Sequence, residues 1–294
     1  MPSRIASVAT EPAVTPPVAR PGARRRRSPW HTAVEWVRAH IVAFAAALAL
    51  LYLFLPVIVV IIFSFNKPAG RYNFAWKQFS LDAWTNPCGA AGMCNSLGVS
   101  LEIGLLATVG ATILGTLISF ALVRHRFRGR SSTNLLIFLP MATPEVVMGS
   151  SLLALFVQAG FNRGFVTILI AHILFCMSFV VVTVKARLQG MDPRLEQAAM
   201  DLYANEWQTF RRITLPLVFP GILAAALLSF SLSFDDFIIT NFNSGNMVTF
   251  PMFVFGANQR GVPPQINVIG SIMFFLALAL TLAAQFGRRR RPRR

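Results

Sequence analysis

Acidic residues, cysteine and histidine are scarce in this sequence. Its 294 residues contain 11 Asp and Glu against 27 Lys and Arg, with 3 cysteines and 4 histidines. So few Cys and His, in no ligand-like cluster, indicate neither a metal site nor a disulfide scaffold. The sequence also lacks a nucleophile–base constellation and a Gly-x-x-x-x-Gly-Lys-Ser/Thr phosphate loop. We therefore expect no enzymatic activity in this chain alone and no cofactor of its own.

Apolar sequence, in contrast, is abundant. Hydrophobic residues make up 55% of the chain, and the mean hydropathy is +0.59. A membrane-spanning helix needs about 20 apolar residues. Six runs supply them without the alternation of a β-barrel strand: about 41–65, 95–123, 132–158, 164–186, 213–240 and 265–287. The sequence predicts an all-α polytopic membrane protein with six transmembrane helices.

The positive charge predicts the orientation of these helices. All Lys and Arg residues lie in segments 1–40, 124–130, 185–212 and 288–294, except for Lys67, Arg71, Lys77, Arg163 and Arg260. Because basic loops stay inside the cell, both termini are predicted to be cytoplasmic. The basicity therefore indicates topology and attraction to anionic membrane lipid, and it does not indicate nucleic-acid binding.

The domain organisation follows from these runs. Residues 1–40 are predicted to be a disordered basic cytoplasmic tail that ends in a short interfacial helix over 31–40. They lack the apolar core of a signal peptide. Residues 41–287 are predicted to form the transmembrane domain, and 288–294 a second basic cytoplasmic tail. In the first outer loop, Cys88 and Cys94 can form a disulfide if that face is oxidising.

Four acidic residues lie within or at the ends of the apolar runs: Glu102, Glu145, Asp235 and Asp236. A charge at the bilayer centre costs about 2.5–3.5 kcal/mol and usually has a partner or a pathway to serve. The runs contain no obvious Lys or Arg partner for them, and His172 is a weaker candidate. An excess of intramembrane acid suits a cationic substrate, with a proton relay as the competing interpretation.

Backbone geometry refines these candidates. Adjacent residues on a helix point about 100° apart, so Asp235 and Asp236 cannot both face one axis. We expect one to line a pathway and the other to pack against a neighbour or cap a helix. The aromatic residues Phe234 and Phe237 can add cation–π attraction. Structural roles remain open for the Asp pair, as interface residues, and for Glu145, as a capping carboxylate.

The third run is predicted to be broken near its middle. Pro140 and Pro144 each remove a backbone donor and disfavour helix at the preceding residue. Irregular backbone at membrane depth is tolerated where it lines a cavity. The second run carries Gly98, Gly104 and further glycines, which allow close helix packing.

Residues 187–212 form a charged loop between two apolar runs. Apolar positions from Leu195 to Leu202 recur at helical spacing, and Asn205 is a predicted N-cap for a second helix that continues into the fifth run. We name residues 187–212 the coupling loop. The loop contains the pattern E-x-A-A, and the pattern I-x-L-P follows directly after the loop. Together they resemble the cytoplasmic EAA loop of ABC importer permeases, and the matching positions are Glu196, Ala198, Ala199, Ile213, Leu215 and Pro216.

This resemblance implies that the coupling loop docks on an ATPase subunit, with Asp201 and Tyr203 also at the contact. The family usually has Gly in the turn, where this chain has Tyr203. A Tyr with positive φ is strained. We therefore expect a different turn geometry, with Asn205 in the left-handed conformation.

Three further stretches, PEVVMG (144–149), SFSLSFDDF (229–237) and GVPPQIN (261–267), are similar to spermidine/putrescine importer permeases. The resemblance implies a bacterial inner-membrane protein that pairs with a second permease. It also implies two ATPase copies, which bind ATP and Mg²⁺, and an extracytoplasmic binding protein. Three alternatives remain: an importer of another solute, a proton-coupled secondary carrier and a structural scaffold. The carrier would leave the coupling loop unexplained, and the scaffold would explain neither the acids nor the broken helix.

Overall fold

The computed structural model describes the backbone of residues 29–289 and the side chains of 37–279, 281 and 282. This part of the chain is mostly helical, as the sequence predicts. A two-residue antiparallel ladder, β1 (Asn66–Lys67) with β2 (Gln78–Phe79), is an addition. The helices are α1 (Pro29–Phe63), α2 (Asp82–Thr85), α3 (Met93–Arg124), α4 (Arg130–Ala142), α5 (Glu145–Gln158), α6 (Phe165–Gln189), α7 (Arg194–Asp201), α8 (Glu206–Thr209), α9 (Leu215–Asp235), α10 (Ile238–Asn243), α11 (Phe250–Arg260) and α12 (Pro264–Arg289).

Within the described residues, four helical segments are long and apolar enough to cross a membrane: Val37–Phe63, Met93–Arg124, Phe165–Gln189 and Glu206–Asp235. Helices α4 and α5 meet that test only as a pair, bent by 109° at their junction. The apolar part of α12, Pro264–Ala279, is shorter. The structure thus supports four or five of the six predicted spans.

The break in the third run is confirmed, but Pro140 does not cause it. Helix α4 continues through Pro140 to Ala142, and the chain turns at Thr143 and Pro144. Thr143 is extended, as expected for a residue that precedes proline. Glu145 then begins α5.

The chain divides into two units between Pro56 and Val57. Helix α1 runs without interruption from Pro29, so residues 31–40 continue into the first apolar run instead of forming a separate helix. Residues 1–28, for which the sequence predicts disorder, lie outside the described residues, and so does the end of the C-terminal tail, 290–294.

The core of the second unit consists of α3, α6 and α9, which pack against one another. Small residues allow this contact. A Cβ atom at Gly115 of α3 would lie 2.7 Å from Cγ1 of Val180 on α6, so the helices meet at a distance that only glycine permits. Ala111, Ala171 and Ala225 are fully buried at the same interface.

The loop between α1 and α3 is organised by two buried asparagines. Asn66 donates to Oδ1 of Asn73 at 2.6 Å, and Asn73 donates to the carbonyl oxygen of Phe63 at 2.8 Å. The loop also contains the short helix α2. Cys88 and Cys94 form a disulfide, with Cα atoms 5.4 Å apart.

Candidate functional site

The most distinctive polar feature lies where α9 ends. Helix α9 stops at Asp235, the chain turns at Asp236 and Phe237, and the short helix α10 begins at Ile238. Asp236 has extended backbone angles, φ −64° and ψ 123°. The turn separates the two neighbouring carboxylates: Asp236 is buried and Asp235 is exposed. The two carboxylates thus lie in different environments, and it is the turn after α9, not the step of about 100° within a helix, that separates them.

Asp236 is a capping residue for α10. Its Oδ2 atom accepts the backbone N–H of Thr240 at 2.8 Å and the Thr240 hydroxyl at 2.9 Å. Its Oδ1 atom accepts the N–H of Ile239 at a longer 3.4 Å. The carboxylate therefore satisfies backbone donors at the start of α10, where negative charge is also favoured by the helix dipole.

His172 on α6 joins this cluster. Its Nε2 atom lies 2.9 Å from Oγ1 of Thr240 and 3.4 Å from Oδ2 of Asp236. Its Nδ1 atom lies 2.7 Å from Oγ of Ser233 on α9. All four side chains are buried. The cluster links α6, α9 and α10 through hydrogen bonds between buried side chains.

Asp235 faces the other way, into a cavity of about 730 Å³. Its aromatic lining includes Phe234 and Phe237. The Phe234 ring lies 6.2 Å from Phe250, and the Phe237 ring lies 4.6 Å from Phe255. The remaining lining residues are aliphatic or amide side chains, together with Phe74: Val60, Phe74, Pro251, Val254, Asn258, Val262, Ile266 and Asn267. One carboxylate in an aromatic-lined cavity with no Lys or Arg in its lining suits a cationic group.

The other two predicted pathway acids do not line this cavity. Glu145 is exposed at the first position of α5, a helix that packs against α10, and it lies within electrostatic range of Asp235 and Asp236. Glu102 is exposed on α3 and is not among the residues that line the cavity. The structure therefore groups three of the four acids and leaves Glu102 apart.

The coupling loop forms the predicted helix–turn–helix. Asn205 caps α8: its side chain accepts the N–H of Gln208 at 2.8 Å, and the Gln208 side chain accepts the N–H of Asn205 at 3.1 Å. This reciprocal capping box confirms the predicted N-cap. A π-helical turn, Phe210–Thr214, then leads into α9.

The expectation for the turn geometry is wrong. Tyr203 itself has a positive φ of 62°, whereas Asn205 has φ −75°. The capping box requires Asn205 to be extended, so the left-handed position falls on Tyr203. Its side chain is 97% exposed, and so the ring clashes with nothing in this chain.

The predicted ATPase-contact residues differ in exposure. Glu196 is turned inward, where it accepts a hydrogen bond from the Thr214 hydroxyl and pairs with Arg124 at the end of α3. The exposed members are Ala198, Asp201, Tyr203 and Pro216, and the partly buried ones are Ala199, Ile213 and Leu215. Leu202 and Trp207 are additional exposed apolar residues at this surface.

Sequence reasoning missed the partners of two predicted residues. Thr240 follows Asp236 by four positions, a spacing that indicates a local side-chain contact on a helix. Arg124 ends an apolar run about 70 residues before Glu196, and only the fold brings the two together.

The comparisons with known proteins agree with this architecture. Residues 109–291 match the family described as binding-protein-dependent transport system inner membrane component. The chain is 39% identical over 235 residues to the spermidine/putrescine transport system permease protein PotC of Haemophilus influenzae, covering 80% of this chain and 91% of that protein. It is 35% identical over 255 residues to the putrescine transport system permease protein PotI of Escherichia coli K12, covering 84% and 86%.

Solved structures support the fold. A bacterial alginate ABC transporter in complex with an alginate pentasaccharide-bound periplasmic protein contains a chain with TM-score 0.65 and 15% identity, covering 89% of this chain and 97% of that one. The MetNI methionine ABC transporter gives TM-score 0.54 and 12% identity, covering 65% and 92%. From the family match and the sequence relatives, the chain belongs to the binding-protein-dependent transport system inner membrane components and is a multi-pass inner-membrane permease.

Proposed function

We propose that this chain is the transmembrane subunit of an ATP-driven importer of polyamines such as spermidine and putrescine. The main observation in support of a polyamine substrate is the exposed Asp235 carboxylate in the aromatic-lined cavity. The names of the relatives, spermidine/putrescine and putrescine permeases, agree with that chemistry.

The cavity matches the chemistry of a polyamine in two respects. Each protonated amine requires a negative partner, which Asp235 supplies, and Glu145 adds a second carboxylate nearby. The alkyl segments between amines require apolar surface, which the rings of Phe234 and Phe237 supply along with cation–π attraction. An anionic substrate would need basic residues, and no Lys or Arg is among the lining residues.

The assembly that we propose has six spans in this chain, with α12 as the sixth and both termini in the cytoplasm. The charge distribution supports this orientation. A second homologous permease subunit completes the substrate pathway. An ATPase dimer binds ATP and Mg²⁺, an extracytoplasmic protein delivers the substrate, and membrane lipid surrounds the apolar surface.

The coupling loop is the proposed contact with the ATPase. Leu202 is 82% exposed, Tyr203 is 97% exposed and Trp207 is 65% exposed. Such apolar exposure on a charged loop is typical of a protein interface. From Glu206 the helical segment continues to Asp235 over 30 residues. At 1.5 Å per residue, roughly 45 Å of continuous helix connects the loop to the cavity.

The test is ATP-dependent uptake of labelled spermidine by the complex reconstituted in proteoliposomes. Asp235→Asn and Glu145→Gln remove the two exposed charges with little change in shape, and both are expected to lower uptake while basal ATP hydrolysis persists. Glu102→Gln is the matched control, because Glu102 neither lines the cavity nor is among the charged groups that act on Asp235 or Glu145. Full uptake in Asp235→Asn would refute the cavity as the cation pathway. Uptake that follows a proton gradient and ignores ATP would instead indicate a secondary carrier.

A further inference from the structure

The buried cluster of His172, Ser233, Asp236 and Thr240 lies directly behind the cavity. Asp236 is flanked in sequence by Asp235 and Phe237, both of which line the cavity. Because side chains of consecutive residues diverge, the inward direction of Asp236 fixes the outward direction of its neighbours. Whatever holds Asp236 therefore also orients the cavity's only lining carboxylate among the described residues.

The distances define one consistent arrangement of hydrogens. The Thr240 hydroxyl lies 2.9 Å from Oδ2 of Asp236, which can only accept when ionised, and 3.3 Å from the Asp236 carbonyl oxygen. We assign its hydrogen to the shorter contact. Thr240 then accepts from Nε2–H of His172, and Nδ1 of His172 lies 2.7 Å from the Ser233 hydroxyl, within hydrogen-bond distance.

In this arrangement Nε2 of His172 donates to Thr240, and Thr240 donates its own hydroxyl hydrogen to Asp236. The hydrogen bonds therefore run in one direction from His172 through Thr240 to Asp236. Every participating side chain is buried, so a lost member leaves an unsatisfied polar group at a place where water cannot replace it.

On this basis, and resting on the proposed function, we infer that His172 and Thr240 are positioning residues for substrate. They hold Asp236 in the α9–α10 bend and thereby present Asp235 and Phe237 to the cation. His172 contributes from α6, a core helix that does not itself line the cavity. The cluster thus makes the cavity wall depend on the packing of α6 against α9.

The first test measures how mobile a spin label at residue 235 is, in the absence of substrate. A spin label on Asp235→Cys reports the mobility of this site, since Cys88 and Cys94 are bridged and Cys176 is buried. Thr240→Val removes the hydroxyl with little change in volume, and Thr240→Ser retains it as the matched control. We expect the label to become more mobile in Thr240→Val and to be unchanged in Thr240→Ser. Equal mobility in both variants would overturn the inference.

The second test uses spermidine uptake in a double-mutant cycle. Thr240→Val is expected to lower uptake about tenfold, the factor for one lost charge-assisted hydrogen bond. Combined with Asp235→Asn, it should cause little further loss, because both changes affect the same carboxylate. Losses that multiply would indicate a general folding defect and would refute positioning.

Substitutions at His172 provide an independent check. The amide of Gln reaches the place of Nε2 and can still donate to Thr240, whereas the amide of Asn reaches only the place of Nδ1. Uptake and label mobility should therefore be preserved better in His172→Gln than in His172→Asn, and the reverse order would contradict the inference. If the wild-type complex takes up no polyamine, the proposed function fails, while the spin-label comparison still decides the role of the cluster.

Discussion

Thr214 donates its hydroxyl hydrogen to Oε1 of Glu196 at 2.6 Å, across the turn that joins the coupling loop to α9. Arg124, at the end of α3, pairs with the same carboxylate oxygen. The Glu196 side chain is only 16% exposed. Glu196 thus connects α7 to the end of α3 and to the residue that precedes α9, the helix that carries Asp235.

The first prediction concerns this connection. Thr214→Val should lower spermidine uptake per ATP hydrolysed several-fold, because α7 loses a partly buried bond to a charged group, worth about 1–2 kcal/mol. The measurement is the ratio of uptake to ATP hydrolysis in proteoliposomes. Thr214→Ser retains the hydroxyl and should keep the wild-type ratio. An unchanged ratio in Thr214→Val would mean that the bond carries no coupling.

The second prediction concerns helix packing. Gly115→Ala places a Cβ 2.7 Å from Val180 Cγ1 and 3.2 Å from the Met177 carbonyl oxygen, so α3 and α6 must separate. The overpacking should cost about 1–3 kcal/mol. Thermal unfolding of the detergent-solubilised complex measures it. Gly98→Ala, on the same helix with nothing within 4 Å of the added Cβ, is the control and should not lower the melting temperature.

The sequence predicted features that depend on local chemistry. Four or five of the six predicted spans, the break before Glu145 and the Asn205 cap are present, and they follow from hydropathy, proline and capping rules. Pro140 shows the limit of such rules, because α4 tolerates it and continues for two more residues. Whether a proline breaks or only perturbs a helix depends on packing around it.

The parts that could not be predicted depend on long-range contacts. The sequence offered His172 only as a weaker candidate partner for the acids, and it is the fold that brings it to Asp236 and Thr240 from more than 60 positions away. Because Asp235 and Asp236 are adjacent, we expected one of them to face a pathway. The sequence does not say which one, and the bend at Asp236 identifies Asp235 as the exposed member. Tyr203 was mispredicted because two local preferences competed, and the capping box of Asn205 prevailed.

The third prediction concerns the exposed pair in the loop between α1 and α3. Lys67 lies 2.9 Å from Asp82, and its hydrogen bond, followed by that of Ser80, lowers the pKa of Asp82. A carboxylate with a lowered pKa stabilises the folded state at every pH above its pKa in the unfolded chain, which is near 4. That stabilisation is lost as the pH falls through the lower pKa of the folded state. Lys67→Met should raise the Asp82 pKa, as measured by NMR titration. Because both side chains are exposed, stability at neutral pH should hardly change. A large loss of stability would contradict this account.

The fourth prediction concerns Tyr203, whose φ of 62° places a bulky residue in the left-handed region. That conformation costs a non-glycine residue about 1–2 kcal/mol, whereas glycine adopts it freely but loses about 0.5–1 kcal/mol through a more flexible unfolded chain. Tyr203→Gly should therefore leave the thermal stability of the isolated subunit unchanged or slightly raised. Tyr203→Ala keeps the strain and serves as the control.

If the exposed ring contacts the ATPase, both variants should weaken ATPase association equally. Weakening in Tyr203→Gly alone would assign the effect to turn flexibility instead of the lost ring.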